Sequence, residues 1–99
     1  MKKVLILLAT YNGEKYLKEQ LDSLLQQEKV QVLILVRDDG STDHTKNILD
    51  RYKNRGLISW YAGEHLDVQK GYFELMEKAQ LYDTDYIAFC DQDDVWDKD

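Results

Sequence analysis

Three residue types that often define small folds are scarce or missing in this sequence. The 99-residue chain has no proline, one cysteine and two histidines. A single cysteine, Cys90, excludes an internal disulfide, and together with His44 and His65 it leaves no ligand set for a structural zinc ion. We expect Cys90 to be a small buried residue rather than a nucleophile. Since no repeat or low-complexity segment interrupts the chain, we expect one domain, residues 1–99.

Positive charge and long hydrophobic runs are also in short supply. The chain has 13 Lys and Arg against 19 Asp and Glu, for a formal net charge of −6. Non-specific binding of nucleic acid needs clustered basic residues that neutralise phosphates, so we predict no nucleic-acid partner. The opening apolar run, residues 4–9, is too short for a secretion signal or a membrane span. We therefore predict no transmembrane segment and a cytoplasmic location, or a peripheral one at the inner membrane face in a longer parent protein.

The chain does contain two alternating hydrophobic periods. Short runs that are apolar at nearly every position indicate strands covered on both faces, and longer segments with apolar residues every three or four positions indicate helices. This alternation predicts parallel strands joined by right-handed crossovers, which is a doubly wound α/β sheet. The predicted strands cover residues 4–9, 30–36, 58–62 and 86–90, and the predicted helices cover residues 14–27, 43–55 and 68–81.

Acidic residues concentrate directly after two of the predicted strands. In α/β sheets, ligands bind at the carboxyl ends of strands, near the point where strand order reverses. Two carboxylates about 4 Å apart repel by roughly 4 kcal/mol at an effective dielectric of about 20, so something must offset the repulsion. Either some acids are protonated, or they splay into solvent, or magnesium or manganese sits among them and also takes a substrate's phosphates. The six acids are Asp38, Asp39 and Asp43 after strand two, and Asp91, Asp93 and Asp94 after strand four.

Each of these signals also has a purely structural explanation. Residues 39–42 can form a tight turn in which Gly, Ser and Thr also cap the next helix, and acids after strands are often solvated. Two functional classes stay open on this basis: a magnesium-dependent phosphotransfer domain, and a non-catalytic module that binds a nucleotide or a partner protein through the acidic edge. Phosphotransfer domains of this kind need an acid at the end of strand one, where this chain has Thr10, Tyr11 and Asn12, which disfavours the first class.

Three stretches taken together resemble a known family. In this order and spacing, ATYNGEKYLKEQLDSLLQQ, RDDGSTDHTKNIL and DYIAFCDQDDVW resemble the N-terminal, nucleotide-sugar-binding half of family 2 glycosyltransferases. The resemblance covers essentially the whole chain, and the region around DQDDVW is similar to bacterial rhamnosyltransferases. It implies an A-type glycosyltransferase fold, a Rossmann-like parallel sheet with strand order 3-2-1-4 and helices on both faces. That order would bring together the loops after strands one, two and four.

The resemblance implies nucleotide-binding roles at the ends of strands one and two. Ala9, Thr10, Tyr11 and Asn12 would line the base and ribose pocket, with Tyr11 offering a flat face for stacking. The resemblance makes Asp39 the acceptor of a hydrogen bond from the imide N–H of uracil or thymine, a contact that cytosine cannot offer. The implied donor is a UDP- or dTDP-sugar, with dTDP-rhamnose as the first choice. Asp38 would support this loop within the same nucleotide-binding set.

The resemblance also implies a metal site after strand four. Asp91-Gln92-Asp93 matches the family's Asp-x-Asp motif, in which Asp93 would contact manganese or magnesium and Asp91 would face the ribose or the metal's waters. Asp94 would lie on the sugar side or beside the metal ligands. The match departs at residues 65–67, where relatives often have an Asn-Leu-Gly-like turn, and at Gly71, where asparagine is common.

The family inverts the anomeric configuration, which requires a general base for the acceptor hydroxyl. In relatives that base comes from the acceptor-binding half, which we expect to follow residue 99. We therefore expect these residues to bind nucleotide and metal weakly without transferring sugar to a saccharide acceptor, whereas a longer parent would be a metal-dependent glycosyltransferase. Strand four would lack a neighbour on its far side, and its apolar edge, residues 86–89, is predicted to promote self-association.

Overall fold

A computed structural model of the protein describes residues 2–63 and 68–90. All seven predicted elements are present. The strands are β1 (Lys2–Thr10), β2 (Val30–Asp38), β3 (Ser59–Ala62) and β4 (Tyr86–Cys90), and the helices are α1 (Leu17–Leu25), α2 (Thr45–Asn54) and α3 (Val68–Ala79). β1 and β2 run further than the apolar runs predict, so Thr10 and Asp38 are the last residues of strands rather than the first residues of loops.

The four strands form one parallel sheet in the order β3-β2-β1-β4, which confirms the predicted order. β1 is central, and its residues 5–8 are completely buried because both faces of a central parallel strand are covered. Thr10 pairs with Asp38, and Asp38 pairs with Ala62, so the carboxyl ends of β1, β2 and β3 are level. The loops after β1 and β2 therefore start side by side at one edge of the sheet.

Helices cover both faces of the sheet, as predicted, and the alternation of side chains along the strands divides the core in two. One cluster lies under α1 and α2, and the other lies under α3. Cys90 is buried in the first cluster, which confirms its predicted environment, and its Sγ accepts a hydrogen bond of 3.3 Å from Gln20 Nε2. The first cluster includes Ile6, Leu8, Leu21, Val36 and Leu49, and the second consists of Leu5, Leu7, Leu35, Leu75 and Ala79.

β4 lies at an edge of the sheet that the described residues form, since it pairs with β1 and with no other strand there. Tyr86, Ile87 and Phe89 on this strand are exposed, and so are Phe73 and Met76 of α3. These side chains leave apolar surface along the open edge of the sheet. No helix within residues 2–63 and 68–90 has the length and apolarity needed to cross a membrane.

Candidate functional site

The carboxylate of Asp38 organises the end of β2 from inside the protein. It is completely buried. Its Oδ1 accepts hydrogen bonds from Thr10 Oγ1 at 2.8 Å and from Ser41 Oγ at 2.6 Å, and its Oδ2 accepts one from the Ser41 backbone amide at 3.0 Å. Asp38 thus joins the end of β1 to the turn after β2. This geometry suits the supporting role that the resemblance implies, and direct contact between Asp38 and a nucleotide stays a prediction.

Asn12 ties the two loops together from the β1 side. Its φ of 49° lies in the left-handed region, which asparagine tolerates better than most residues. Its side-chain Oδ1 accepts a hydrogen bond of 2.8 Å from the Thr42 backbone amide, and the Asn12 backbone amide donates one to Ser41 Oγ at 2.9 Å. The structure therefore brings Asn12 against the turn after β2, where the predicted base and ribose pocket would be.

Asp43 connects the same two loops to the start of α2. Its Oδ1 accepts a hydrogen bond of 2.9 Å from the Thr45 amide, and its Oδ2 accepts one of 3.2 Å from the Glu14 amide. Burial by itself raises the pKa of Asp43, but these hydrogen bonds outweigh it and lower the pKa below its ordinary value. The prediction that serine or threonine of the turn caps α2 is wrong: the N-cap is His44, with no side-chain cap, because Asp43 holds the first helical amide instead.

Asp39, the predicted base-recognising residue, lies beside Arg37, which no motif or hydrophobic pattern in the sequence singles out. The Arg37 side chain is completely buried and forms ion pairs with Asp39 Oδ1 and with Glu74 Oε1 of α3, the latter at 3.2 Å. The Asp39 side chain keeps 18% of its surface exposed, and its backbone amide donates to the Thr10 carbonyl at 2.8 Å. Its position in the strand is the one sequence signal that Arg37 points inward, because Arg37 follows Leu33 and Leu35 on the side of β2 that faces α3.

The structure brings the described members of the predicted nucleotide site to one edge of the sheet. Ala9 and Thr10 are the last residues of β1, and Thr10 is buried. Tyr11 follows directly and is 46% exposed, so part of its surface is open to a ligand. Asp39 begins the neighbouring loop and is bonded through its amide to Thr10. The placement agrees with the prediction, and the binding roles of these residues stay predictions.

Protein donors offset the charge of the described acids at this edge. Asp38 accepts from Thr10 and Ser41, Asp39 pairs with Arg37, and Asp43 accepts backbone amides. Among the described residues, no group of three or more His, Cys, Asp or Glu is placed to hold a metal ion. The metal prediction therefore depends on the residues of the Asp-x-Asp motif. Asp91, Asp93 and Asp94 lie outside the described residues, as do the departures at 65–67.

An open groove of about 800 Å³ lies between α1 and α2, lined in part by Lys18, Asp22, Arg51 and Tyr52. Its walls belong mainly to the helices that cover one face of the sheet. Ligands of α/β sheets bind outside the carboxyl ends of the strands, where Tyr11 and Asp39 lie. We therefore assign the candidate site to the strand ends and not to this groove.

Comparison with known proteins decides the family. The model of the family described as "Glycosyl transferase family 2" matches residues 5–99. The chain belongs to glycosyl transferase family 2. A curated relative of this family 2 chain, the "dTDP-rhamnosyl transferase RfbG" of Shigella flexneri, is 38% identical over 96 residues, which are 93% of this chain and 33% of RfbG. The chain thus spans about a third of the length of this relative.

Solved structures confirm that this family 2 chain has the A-type glycosyltransferase fold. A crystal structure of TarS from Staphylococcus aureus covers 99% of the chain with a TM-score of 0.79 at 30% identity, and the chain covers 29% of that structure. TarS has also been solved with UDP, with a TM-score of 0.76. A mannosyltransferase from Pyrobaculum calidifontis, solved with GDP-Man and Mn²⁺, shares the fold over 94% of this chain and 28% of its own, with a TM-score of 0.70 at 21% identity.

Proposed function

We propose that these 99 residues form the donor-binding part of an inverting glycosyltransferase that uses a UDP- or dTDP-sugar. The observation that carries this proposal is the Asp39 carboxylate, which Arg37 holds at the carboxyl end of β2, next to Thr10 and the exposed Tyr11 that follows it in sequence. Strand order reverses next to β1, since β2 and β4 lie on opposite sides of it. Ligands of such sheets bind near that point.

The chemistry of the base supports uracil or thymine. Both bases present an imide N–H donor, whereas cytosine presents an acceptor at the same ring position. An ionised carboxylate can only accept hydrogen bonds, so Asp39 would match the first two bases and repel the third. Tyr11 would supply the stacking surface. The names of the relatives agree with this choice, because RfbG is a dTDP-rhamnosyl transferase and TarS binds UDP.

The proposed metal is manganese or magnesium, held by Asp93 with help from Asp91. Carboxylate oxygens are the ligands that these hard cations prefer, and the ions commonly take their remaining ligands from waters and phosphates. When bound, the ion would neutralise negative charge on the leaving diphosphate. Asp38, Asp39 and Asp43 are already engaged by protein donors, so they would shape the pocket and leave the metal to the motif after β4.

The acceptor that we propose is a saccharide hydroxyl in the synthesis of bacterial cell-surface polysaccharides, in the cytoplasm or at the inner face of the membrane. RfbG is named a rhamnosyl transferase, and TarS a poly(ribitol-phosphate) beta-N-acetylglucosaminyltransferase. Since the chain spans about a third of RfbG, we propose that it binds the donor without transferring sugar by itself. A sugar-transfer rate measured with the 99 residues alone would contradict the proposal that they do not transfer sugar by themselves.

Titration with nucleotides tests the donor proposal. We expect UDP and dTDP to bind in the presence of manganese and CDP to bind at least about tenfold more weakly, because CDP would place an acceptor against the Asp39 carboxylate. Asp39→Asn should reduce this preference, since an amide can also donate. Isothermal titration calorimetry measures all three affinities, with and without manganese.

The control variant is Asp83→Asn, which makes the same chemical change at an exposed residue. Asp83 precedes the amino end of β4 and so lies away from the carboxyl ends of the strands. This variant should retain the full preference for UDP. Equal affinities of the unchanged protein for UDP and CDP, or no binding of either, would refute the donor proposal. Labelling of the chain by acetyl phosphate would favour the phosphotransfer alternative instead.

We also propose that the open edge of β4 promotes self-association. In the part of the chain that the structure describes, no strand pairs with the outer side of β4, which leaves backbone groups beside the exposed Ile87 and Phe89 open to another chain. Static light scattering should show a mass that rises with protein concentration, and Ile87→Lys should suppress the rise by placing a charge on the edge strand. Phe73→Lys is the control, because Phe73 is equally apolar and exposed but lies on α3. A monomer at all concentrations would contradict the proposal, and suppression by Phe73→Lys alone would assign the association to the helix.

A further inference from the structure

The direction of the Arg37 side chain follows from the alternation of β2. Leu33 and Leu35 contact the core cluster under α3, and Arg37 is the next residue on that side of the strand. A hydrophobic residue would be expected at this position. Arg37 instead places a completely buried guanidinium between the end of β2 and the middle of α3.

Gly63 makes room for this guanidinium. A Cβ atom on Gly63 would lie 2.5 Å from both Cζ and Nη2 of Arg37, a distance that atoms do not tolerate. On α3, a Cβ atom on Gly71 would lie 3.4 Å from Arg37 Nη1, which is an ordinary van der Waals contact. Gly71 is therefore adjacent to the guanidinium but is not required by it.

Charged and polar partners hold the guanidinium in place. Glu74 of α3 accepts a hydrogen bond of 3.2 Å from Arg37 Nε. Burial raises the pKa of Tyr61, on β3, and the neighbouring Glu74 carboxylate raises it further, so the Tyr61 hydroxyl keeps its proton at neutral pH. Burial opposes ionisation of Glu74, but the neighbouring Tyr61 hydroxyl and the Arg37 guanidinium outweigh it and lower the pKa of Glu74. Lys78 Nζ lies 4.6 Å from the centre of the Tyr61 ring and adds positive charge nearby.

We propose that Arg37 is a positioning residue for recognition of the base. By binding Asp39 Oδ1, its planar guanidinium fixes rotation of the Asp39 carboxyl group and hence the direction in which Oδ2 points. Glu74 holds Arg37 from α3. This inference rests on the proposed function, because it assumes that Asp39 accepts the imide N–H. It adds that base selectivity depends on a helix that does not itself carry the predicted base-binding residues.

The ratio of CDP to UDP dissociation constants, measured with manganese, tests this inference. Arg37→Lys keeps the charge but loses the rigid fork, and we expect the ratio to fall about tenfold. Glu74→Gln leaves Arg37 without its charged partner on α3 and should lower the ratio less. Glu77→Gln is the matched control on the same helix; Glu77 is exposed, and its variant should leave the ratio unchanged.

The outcomes separate the inference from the function on which it rests. If the unchanged protein does not prefer UDP, the proposed function fails and the inference fails with it. If the unchanged protein prefers UDP and the ratio stays the same in both Arg37→Lys and Glu74→Gln, only the positioning role is overturned, because a merely structural residue would weaken UDP and CDP equally. If circular dichroism shows that Arg37→Lys does not fold, the Glu74→Gln variant tests the positioning role instead. We expect this variant to fold, since the Glu74 side chain is 37% exposed.

Discussion

Replacing Asp38 with alanine is expected to lower the free energy of unfolding by about 4 kcal/mol. The Thr10 hydroxyl and the hydroxyl and amide of Ser41 all donate to this one buried carboxylate. A buried donor left without an acceptor costs about 1–3 kcal/mol, and here three donors lose their acceptor together. Equilibrium unfolding in urea, followed by far-UV circular dichroism, gives the difference.

Two further variants make the result interpretable. Asp38→Asn keeps one acceptor oxygen and should lose about half as much, so it stays measurable if the alanine variant does not fold. Asp43→Ala removes a carboxylate of the same turn that accepts two backbone amides near the surface, and it should cost about 1 kcal/mol. If Asp38→Ala were no more destabilising than Asp43→Ala, the hydrogen bonds of Asp38 could not be what holds the two loops together.

Replacing Gly63 with alanine is expected to lower the free energy of unfolding by about 3 kcal/mol. The new methyl group would overlap the Arg37 guanidinium, which cannot move freely because Asp39 and Glu74 hold it. The backbone cannot retreat easily either, since the Gly63 amide donates to the Asp38 carbonyl at 2.8 Å. Thermal and urea unfolding both report the change.

A double-mutant cycle assigns the cause of this effect. In an Arg37→Ala background the obstructing group is gone, so adding Gly63→Ala should cost less than about 1 kcal/mol. Gly40→Ala is the control for backbone strain alone: its φ is 85°, but a Cβ atom there would meet nothing within 4 Å. A cost of Gly63→Ala that is the same with and without Arg37 would show that the guanidinium does not explain the glycine.

Local patterns predicted most of the fold because a strand or a helix is encoded by neighbouring residues. The run around Leu5 to Leu8 indicated a strand covered on both faces, and those residues are completely buried. The strand ends were placed too early, since Thr10 and Asp38 are polar. They remain within the strands because Thr10 and Asp38 pair in the β1–β2 register and their side chains are hydrogen-bonded across 28 residues of sequence, a partnership that the hydrophobic period cannot reveal.

The candidate site, like the fold, has features that the sequence predicted and features that it did not. The motif around Asp39 was visible because its residues are consecutive, and it lies within the residues 5–99 that match the family. We expected protonation, solvent or a cation to offset the charge of the acids at this edge. That expectation omitted the hydrogen-bond donors and the arginine that the protein itself supplies. Arg37 is adjacent in sequence to the acids, but nothing local shows that it turns inward to Asp39.

The sequence by itself therefore determined the family and the alternation of strands and helices, because motifs and hydrophobic periods are patterns of residues close together in the chain, and it placed the proposed ligand site at the carboxyl ends of the strands. Only the tertiary structure decided how those strand ends are held. Asp38 is shared by β1 and the turn after β2, and Arg37 fits between Gly63, Gly71 and Glu74. These contacts join residues up to 37 positions apart, and they exist only once parallel strands and their crossover helices have brought distant segments together.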